Sequence, residues 1–333
     1  MSERITNWAG NQVFGAAEVA RPTTVEELQR VVAGASKVRA LGAGHSFNRI
    51  ADTTGTIVAT ERLDQIGPID RERRTVTIEG GVRYAALGPI LEEAGLALPN
   101  LASLPHVSVA GACATATHGS GDGNAALSAA VSALDIVTAT GDLVHLSREA
   151  DGDRFLGAVV GLGGLGVVAR LTLDLVPSFQ VRQSIYDALP LERLLAEFDA
   201  IMGGAYSVSL FTDWRADRVK QVWVKRRVGD AGDEGADDYF GATLADGPRH
   251  PSGRSSAAKC TPQGGVPGPW HERLPHFRAD AIPSFGAELQ SEYFVPGRHA
   301  PAVARAVAAL GEEMAAILLI AEVRTVAADD LWM

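Results

Sequence analysis

Apolar residues recur along this chain in two rhythms, one near 3.6 residues and one of two residues. After Pro22, Thr24 and Glu27 stand at capping-box spacing and Leu28, Val31, Val32 and Ala35 follow at helical intervals, which predicts a helix there. A second helix is expected over residues 84–95. Strand alternation marks 38–41 and 74–79, where Val76 and Ile78 interleave with Thr75, Thr77 and Glu79. It returns where Leu171, Leu173 and Leu175 alternate with Arg170, Thr172 and Asp174. Segments 133–139 and 143–147 read as strands joined by a turn at 140–142. Beyond Pro177 the character changes: residues 190–202 carry Leu191, Leu194, Leu195, Phe198, Ile201 and Met202 on one helical face. Strands are expected at 206–213, 221–227, 286–295 and 317–327, with a helix over 299–315. Residues 229–269, rich in Gly, Asp, Pro and Ser, read as a long irregular excursion. The pattern is α+β with two domains, 1–177 and 178–333. The second is expected to be incomplete, because the chain stops soon after a strongly patterned strand without a polar tail.

Composition narrows the function. With 333 residues and 46% apolar content the chain can bury more than one core. The net charge is −10 and the longest basic cluster is Lys225, Arg226 and Arg227, which argues against a nucleic-acid partner. No uninterrupted apolar run of about 18 residues exists, and the N-terminus lacks the basic start and apolar run of a signal peptide. A cytoplasmic monomer with no membrane partner is expected. Cys113 and Cys260 stand far apart with no CxxC pair, so neither a disulfide framework nor a thiolate metal site is expected.

The 36 glycines concentrate at 41–44, 119–123 and 161–166. Gly161, Gly163 and Gly166 form a literal GxGxxG, but a dinucleotide fingerprint must open a helix and the following VVARLTLDL alternates like a strand. LGAGHSFN at 41–48 carries more: a strand runs into a turn whose glycines bare backbone N–H groups that can cradle a pyrophosphate, with His45 at its lip. SVAGACATATHGSG at 108–121 contains almost only small residues in an ordered loop, so its backbone can approach a flat ligand while its hydroxyls supply polar contacts. Near the end, Glu322 and Arg324 lie two apart on a strand and so share a face, where a carboxylate and a guanidinium can fix a polyhydroxylated substrate or form a solvated ion pair. The run WHERLPHFR at 270–278 is expected to be structural.

Taken together, GAGHSFN, LPNLASLPHVSVAGACATATHGSG, AYSVSLFTDWR, GVPGPWHERLPHFRAD, GAELQSEY and EVRTVAAD resemble the alditol oxidase branch of the vanillyl-alcohol-oxidase-like FAD-linked oxidases, from about Asn7 onward. The resemblance implies a PCMH-type FAD-binding domain followed by a substrate domain of β-sheet and helices, with the flavin at their junction. It implies that His45 is bonded covalently to FAD, that Leu41, Gly42, Ala43, Gly44, His45 and Ser46 wrap the pyrophosphate, and that Ser108, Gly111, Thr115 and His118 line the flavin and its ribityl chain. Val168 is implied in backbone contacts to the cofactor. Ser103, which adjoins both cofactor and substrate, Glu322 and Arg324 are implied to meet the substrate.

The chemistry implied is hydride transfer from C1 of an alditol such as xylitol or sorbitol to the flavin, giving an aldose, with O₂ then reduced to H₂O₂. Two further site residues of the family, a histidine and a lysine, would fall beyond Met333. Two alternatives stand beside this reading: an aldonolactone oxidase or dehydrogenase, and a flavin-binding chain without turnover.

Overall fold

The computed structural model describes residues 5–232, 234–253, 255–281 and 288–333. Strands β1 (Glu18–Ala20), β2 (Val38–Leu41) and β3 (Thr56–Ala59) form a parallel sheet with β3 at its centre. Helix α1 (Val25–Gly34) links the first two. Its start follows the expected capping chemistry with one shift: Thr24 Oγ1 accepts from Glu27 N at 3.1 Å, but the Glu27 carboxylate reaches back to Thr23 N at 2.8 Å rather than to Thr24. Val25, Leu28 and Val32 then bury one face of the helix.

Strands β4 (Ile66–Asp70) and β5 (Thr75–Glu79) lead to helix α2 (Tyr84–Glu93), the short strand β6 (Leu96–Ala97) and helix α3 (Val109–Ala114). Strands β7 (Val131–Val137) and β8 (Leu143–Ser147), helices α4 (Arg148–Asp151) and α5 (Asp153–Val159), and strands β9 (Val167–Asp174) and β10 (Val176–Pro177) follow. An antiparallel sheet runs in the order β4-β5-β9-β7-β8. The glycines of the GxGxxG open β9 and not a helix. The alternation read from the sequence holds along that strand: Val167 and Ala169 pack in the core with α1, and Leu171 and Leu173 pack in the core of α2.

A second, seven-stranded sheet uses β11 (Gln180–Pro190), β12 (Ser207–Thr212), β13 (Arg218–Arg227), β14 (Asp238–Tyr239), β15 (Ala242–Leu244), β16 (Gly268–Pro269) and β17 (Ala321–Arg324). Its order is β14-β15-β11-β13-β12-β17, with β16 paired to β11. Between these strands lie α6 (Leu191–Ala196), α7 (Phe198–Met202), α8 (Trp270–Arg273), α9 (Ala300–Ala309) and α10 (Gly311–Met314). Apart from β14 to β16 and one turn of 3₁₀ helix, the described part of 229–269 is irregular, as its composition predicts.

Several expectations need correction. The predicted helix over 190–202 breaks at Glu197, whose backbone leaves the helical region. The helix over 299–315 breaks at Leu310, and the next residue, Gly311, lies against the Trp214 carbonyl, where any Cβ would collide. The small-residue segment expected as a loop holds the six-residue helix α3. The strand expected over 286–295 is not formed: residues 286 and 287 lie outside the described residues, and 288–295 join no sheet. That stretch is tied down through Glu292 instead, while Leu289, Tyr293 and Phe294 stay exposed. The strand expected over 317–327 contracts to β17.

The two halves share buried surface. Phe179, Val181, Trp270 and Leu274 belong to the same apolar cluster as Leu96, Ala97, Leu173 and Leu175. After β17 the chain crosses back toward the first half: Gly121 N donates to Thr325 O at 2.9 Å and Ala327 N to Asn124 O at 2.9 Å. Leu331 then packs on the first core and the Trp332 ring lies against Gly157, where a side chain would intrude. Among the described residues no helix is long and apolar enough to cross a membrane.

Candidate active site

The turn after β2 brings His45 into a prepared niche. Gly44 adopts φ +69°, a left-handed conformation that suits glycine, and its carbonyl accepts from Trp8 N at 2.8 Å. Asn7 Nδ2 donates to Ser46 O at 3.0 Å, which fixes the far side of the turn. The Trp8 indole stacks on the His45 imidazole with centroids 5.1 Å apart and planes 17° from parallel. Within this packing His45 Nδ1 is buried without a hydrogen-bond partner. Burial pushes the imidazole down to about 4 against a backbone contact with Ala43 that favours protonation, and His106 and Arg83 also oppose it. Near neutrality the ring is therefore uncharged.

The second glycine-rich segment meets this turn through Ser108. A Cβ on Gly42 would collide with Ser108 Oγ, and one on Gly111 would lie 2.7 Å from the same atom, so three small residues interlock where larger ones could not. Ser108 is the N-cap residue of α3, and Thr115 at its other end donates its hydroxyl to Gly111 O at 2.9 Å. Both ring nitrogens of His118 face oxygen, the Gly119 carbonyl at 2.8 Å and Glu292 Oε1 at 2.9 Å. Val168 is farther along β9; the link from its strand to α3 is the preceding turn, in which Leu162 N donates to Ala114 O at 3.0 Å.

The third component lies on β17, whose register sets Arg324 opposite Ser209 and Glu322 opposite Phe211 on β12. Arg324 Nη1 donates to Ser103 Oγ at 3.4 Å, its Nη2 lies 3.6 Å from Glu292 Oε1, and its Nε lies 3.5 Å from Glu322 Oε1. Glu322 Oε1 also meets His276 Nε2 at 2.9 Å. Burial alone would raise the Glu322 pKa, but Arg324 and His276 beside it hold the carboxyl well below the usual carboxylate range. The backbone of Ser103 is pinned too, because its carbonyl accepts from the amides of His276 at 3.1 Å and Phe277 at 3.2 Å.

One segment, 103–121, thus touches the Gly42 turn through Ser108, Arg324 through Ser103, and the chain just after Arg324 through Gly121. Ser103, Glu322 and Arg324, far apart in sequence, come together; Leu41 to Ser46 converge with Ser108 and Gly111. His276, Glu292 and Ser209 join the cluster without having been anticipated, and Ser209 shares a 2.8 Å hydrogen bond with Ser120. In the run 270–278 Trp270 and Leu274 are core residues and His276 is buried against Glu322. An imidazole nitrogen without a hydrogen-bond partner, a turn whose Gly44 takes the left-handed conformation, and a buried Thr325 hydroxyl without a partner suit the edge of a bound flavin nucleotide.

The family of FAD binding domains matches residues 16–147. The chain is 50% identical to an alditol oxidase from a Streptomyces species over 337 aligned residues, which cover all of this chain and 79% of that protein. It is 42% identical to an L-gulono-1,4-lactone dehydrogenase of Mycobacterium tuberculosis over 187 residues, 55% of this chain and 43% of that one. Cholesterol oxidase from Brevibacterium sterolicum shares the fold, with a TM-score of 0.59 at 21% identity over 68% of this chain and 48% of its own. The chain thus spans less than half of the lactone dehydrogenase and of the solved structure, and about four-fifths of the alditol oxidase. Identity of 50% along its whole length places the chain in the alditol oxidase family of FAD-dependent oxidoreductases.

Proposed function

We propose that the chain oxidises the terminal alcohol of an alditol such as xylitol or sorbitol to the aldose, with O₂ reduced to H₂O₂, and that His45 holds FAD covalently. The observation that carries this reading is the meeting of Ser103, Glu322 and Arg324 beside the segment that also reaches the His45 turn. FAD, when bound, supplies the two-electron acceptor. Residues 1–177 are the cofactor side and 178–333 the substrate side. Leu41, Gly42, Ala43, Gly44 and Ser46 offer backbone to the pyrophosphate. Ser108, Gly111, Thr115 and His118 line the ring system, with Val168 beyond. A neutral His45 suits covalent attachment, because an imidazolium has no lone pair to bond with.

Glu322, ionised and partly buried, accepts hydrogen bonds from substrate hydroxyls, and Ser103 adds a further polar contact. Arg324 carries a fixed positive charge to the oxygen that becomes alkoxide-like as its proton leaves, and an oriented guanidinium in a site closed to water stabilises that charge strongly. An alcohol lacking the matching hydroxyls would strand Glu322 and Ser103, which is the basis of selectivity. The lactone reading is less well supported, since the lactone-acting relative matches only 55% of the chain whereas the alditol oxidase matches all of it.

The test is anaerobic addition of xylitol or sorbitol to the yellow protein, followed by H₂O₂ measurement in air across a panel of alditols and lactones. Bleaching with alditols and peroxide release are expected. Turnover of lactones alone, or a chromophore unmoved by every polyol, would overturn the proposal.

A further inference from the structure

Lys225, on β13, is 1% exposed. An ammonium tolerates such burial only where its three N–H groups find acceptors. Three are present: the carbonyls of Leu274 and of Pro275, the latter at 3.3 Å, and Nδ1 of His276 at 3.0 Å. Because Nδ1 accepts from the ammonium, the imidazole hydrogen belongs on Nε2, and Nε2 faces Glu322 Oε1 at 2.9 Å. The ring is itself 3% exposed and wedged edge-on against Phe211 and Trp223, with centroids 5.5 and 5.1 Å away. It has no freedom to flip and present the other nitrogen without disturbing both aromatic contacts.

Resting on the reading of Glu322 as the group that meets substrate hydroxyls, we propose that Lys225 and His276 are positioning residues: Lys225 fixes the imidazole tautomer, and the His276 Nε2–H holds the Glu322 carboxylate toward the substrate. His276 also donates its backbone amide to the Ser103 carbonyl, so one residue sets two of the three groups that meet the alcohol. Burial draws Lys225 down to about 7 and His276 to about 4, which leaves the shared proton on the amine near neutrality. Glu322 favours the charged form of both, Arg324 opposes it, and the Cys260 thiol is the remaining titratable group beside Lys225. Glu322 itself faces Arg324, His276 and Ser209. Once Lys225 loses its proton, two N–H donors remain for three acceptors and the charge is gone, so its hold on Nδ1 weakens.

The experiment has a spectroscopic arm and a kinetic arm. In the flavin-loaded protein without substrate, ¹⁵N NMR of labelled histidines, with the His276→Gln variant identifying the signal, should show His276 neutral and protonated on Nε2 at pH 6. A hydrogen on Nδ1, or on both nitrogens, would overturn the proposal whatever the protein's activity. This arm needs no turnover, so a failed alditol reading is distinguishable from a failed relay.

In the kinetic arm, His276→Gln keeps an N–H donor for Glu322 and should leave the alditol KM within about threefold of the parent. His276→Leu removes the donor and should raise KM about tenfold or more, the scale of a hydrogen bond to a charged group, with kcat much less affected. Lys225→Met should show the same split; if it fails to fold, the histidine pair and the NMR arm still decide. Equal KM values for the Gln and Leu variants, or a loss confined to kcat, would overturn it. In the parent, KM should rise with pH above about 7.

Discussion

At the scale of single residues, the environment decides what a side chain can do. His45 is one of eight histidines, and its distinction is a buried, unpartnered nitrogen held flat against Trp8. If that nitrogen's partner is the flavin, acid denaturation should leave the yellow colour on the polypeptide, and His45→Ala should release it into the supernatant. Colour retained by the alanine variant would refute the attachment. That Ser103 would meet Glu322 and Arg324, and that the glycine turn before His45 would meet Ser108, was legible from the motifs and the family resemblance. Lys225 and His276 were not. In sequence Lys225 looks like one of three solvated basic residues, and only strand alternation, which puts it on the face of buried Trp223, hints otherwise. His276 lies in a run whose neighbours Trp270 and Leu274 are true core residues, and nothing local separates it from them.

At the scale of elements, helices and strands with clean periodicity were readable, whereas those set by a distant partner were not. The sheet edge next to β12 is filled by β17, and residues 288–295 are drawn off to place Glu292 near His118 and Arg324, a demand that alternation along one segment cannot reveal. The junction of the β2 turn with the start of α3 depends on absent side chains. Gly42→Ala should therefore force Ser108 aside, lower flavin incorporation severalfold and destabilise the protein by about 1–3 kcal/mol, the usual cost of overpacking. Adding Ser108→Gly should recover part of the lost stability. Measuring flavin content and melting temperature checks this; a single variant with full flavin content and unchanged melting would show that the interlock is slack.

For the molecule as a whole, the buried site sets the response to acid. His276 is held down to about 4 from an ordinary 6.5, so between those values the unfolded chain binds more protons than the folded one. Stability must then fall as pH drops from 6.5 toward 4. Glu322, depressed in its turn, adds a further loss below its ordinary 4.5. Melting followed by circular dichroism should show a declining midpoint on acidification, shallower in His276→Gln than in the parent; a flat profile, or parallel slopes, would contradict this balance. The α+β mix was legible from the two rhythms of apolar residues, but the return of the chain at 325–332 was not, since it rests on single backbone bonds and a ring laid on Gly157. That return acts as a hasp. Because the two halves are buckled together there as well as by a common oily interior, a clamshell opening that parts them would have to undo both fastenings.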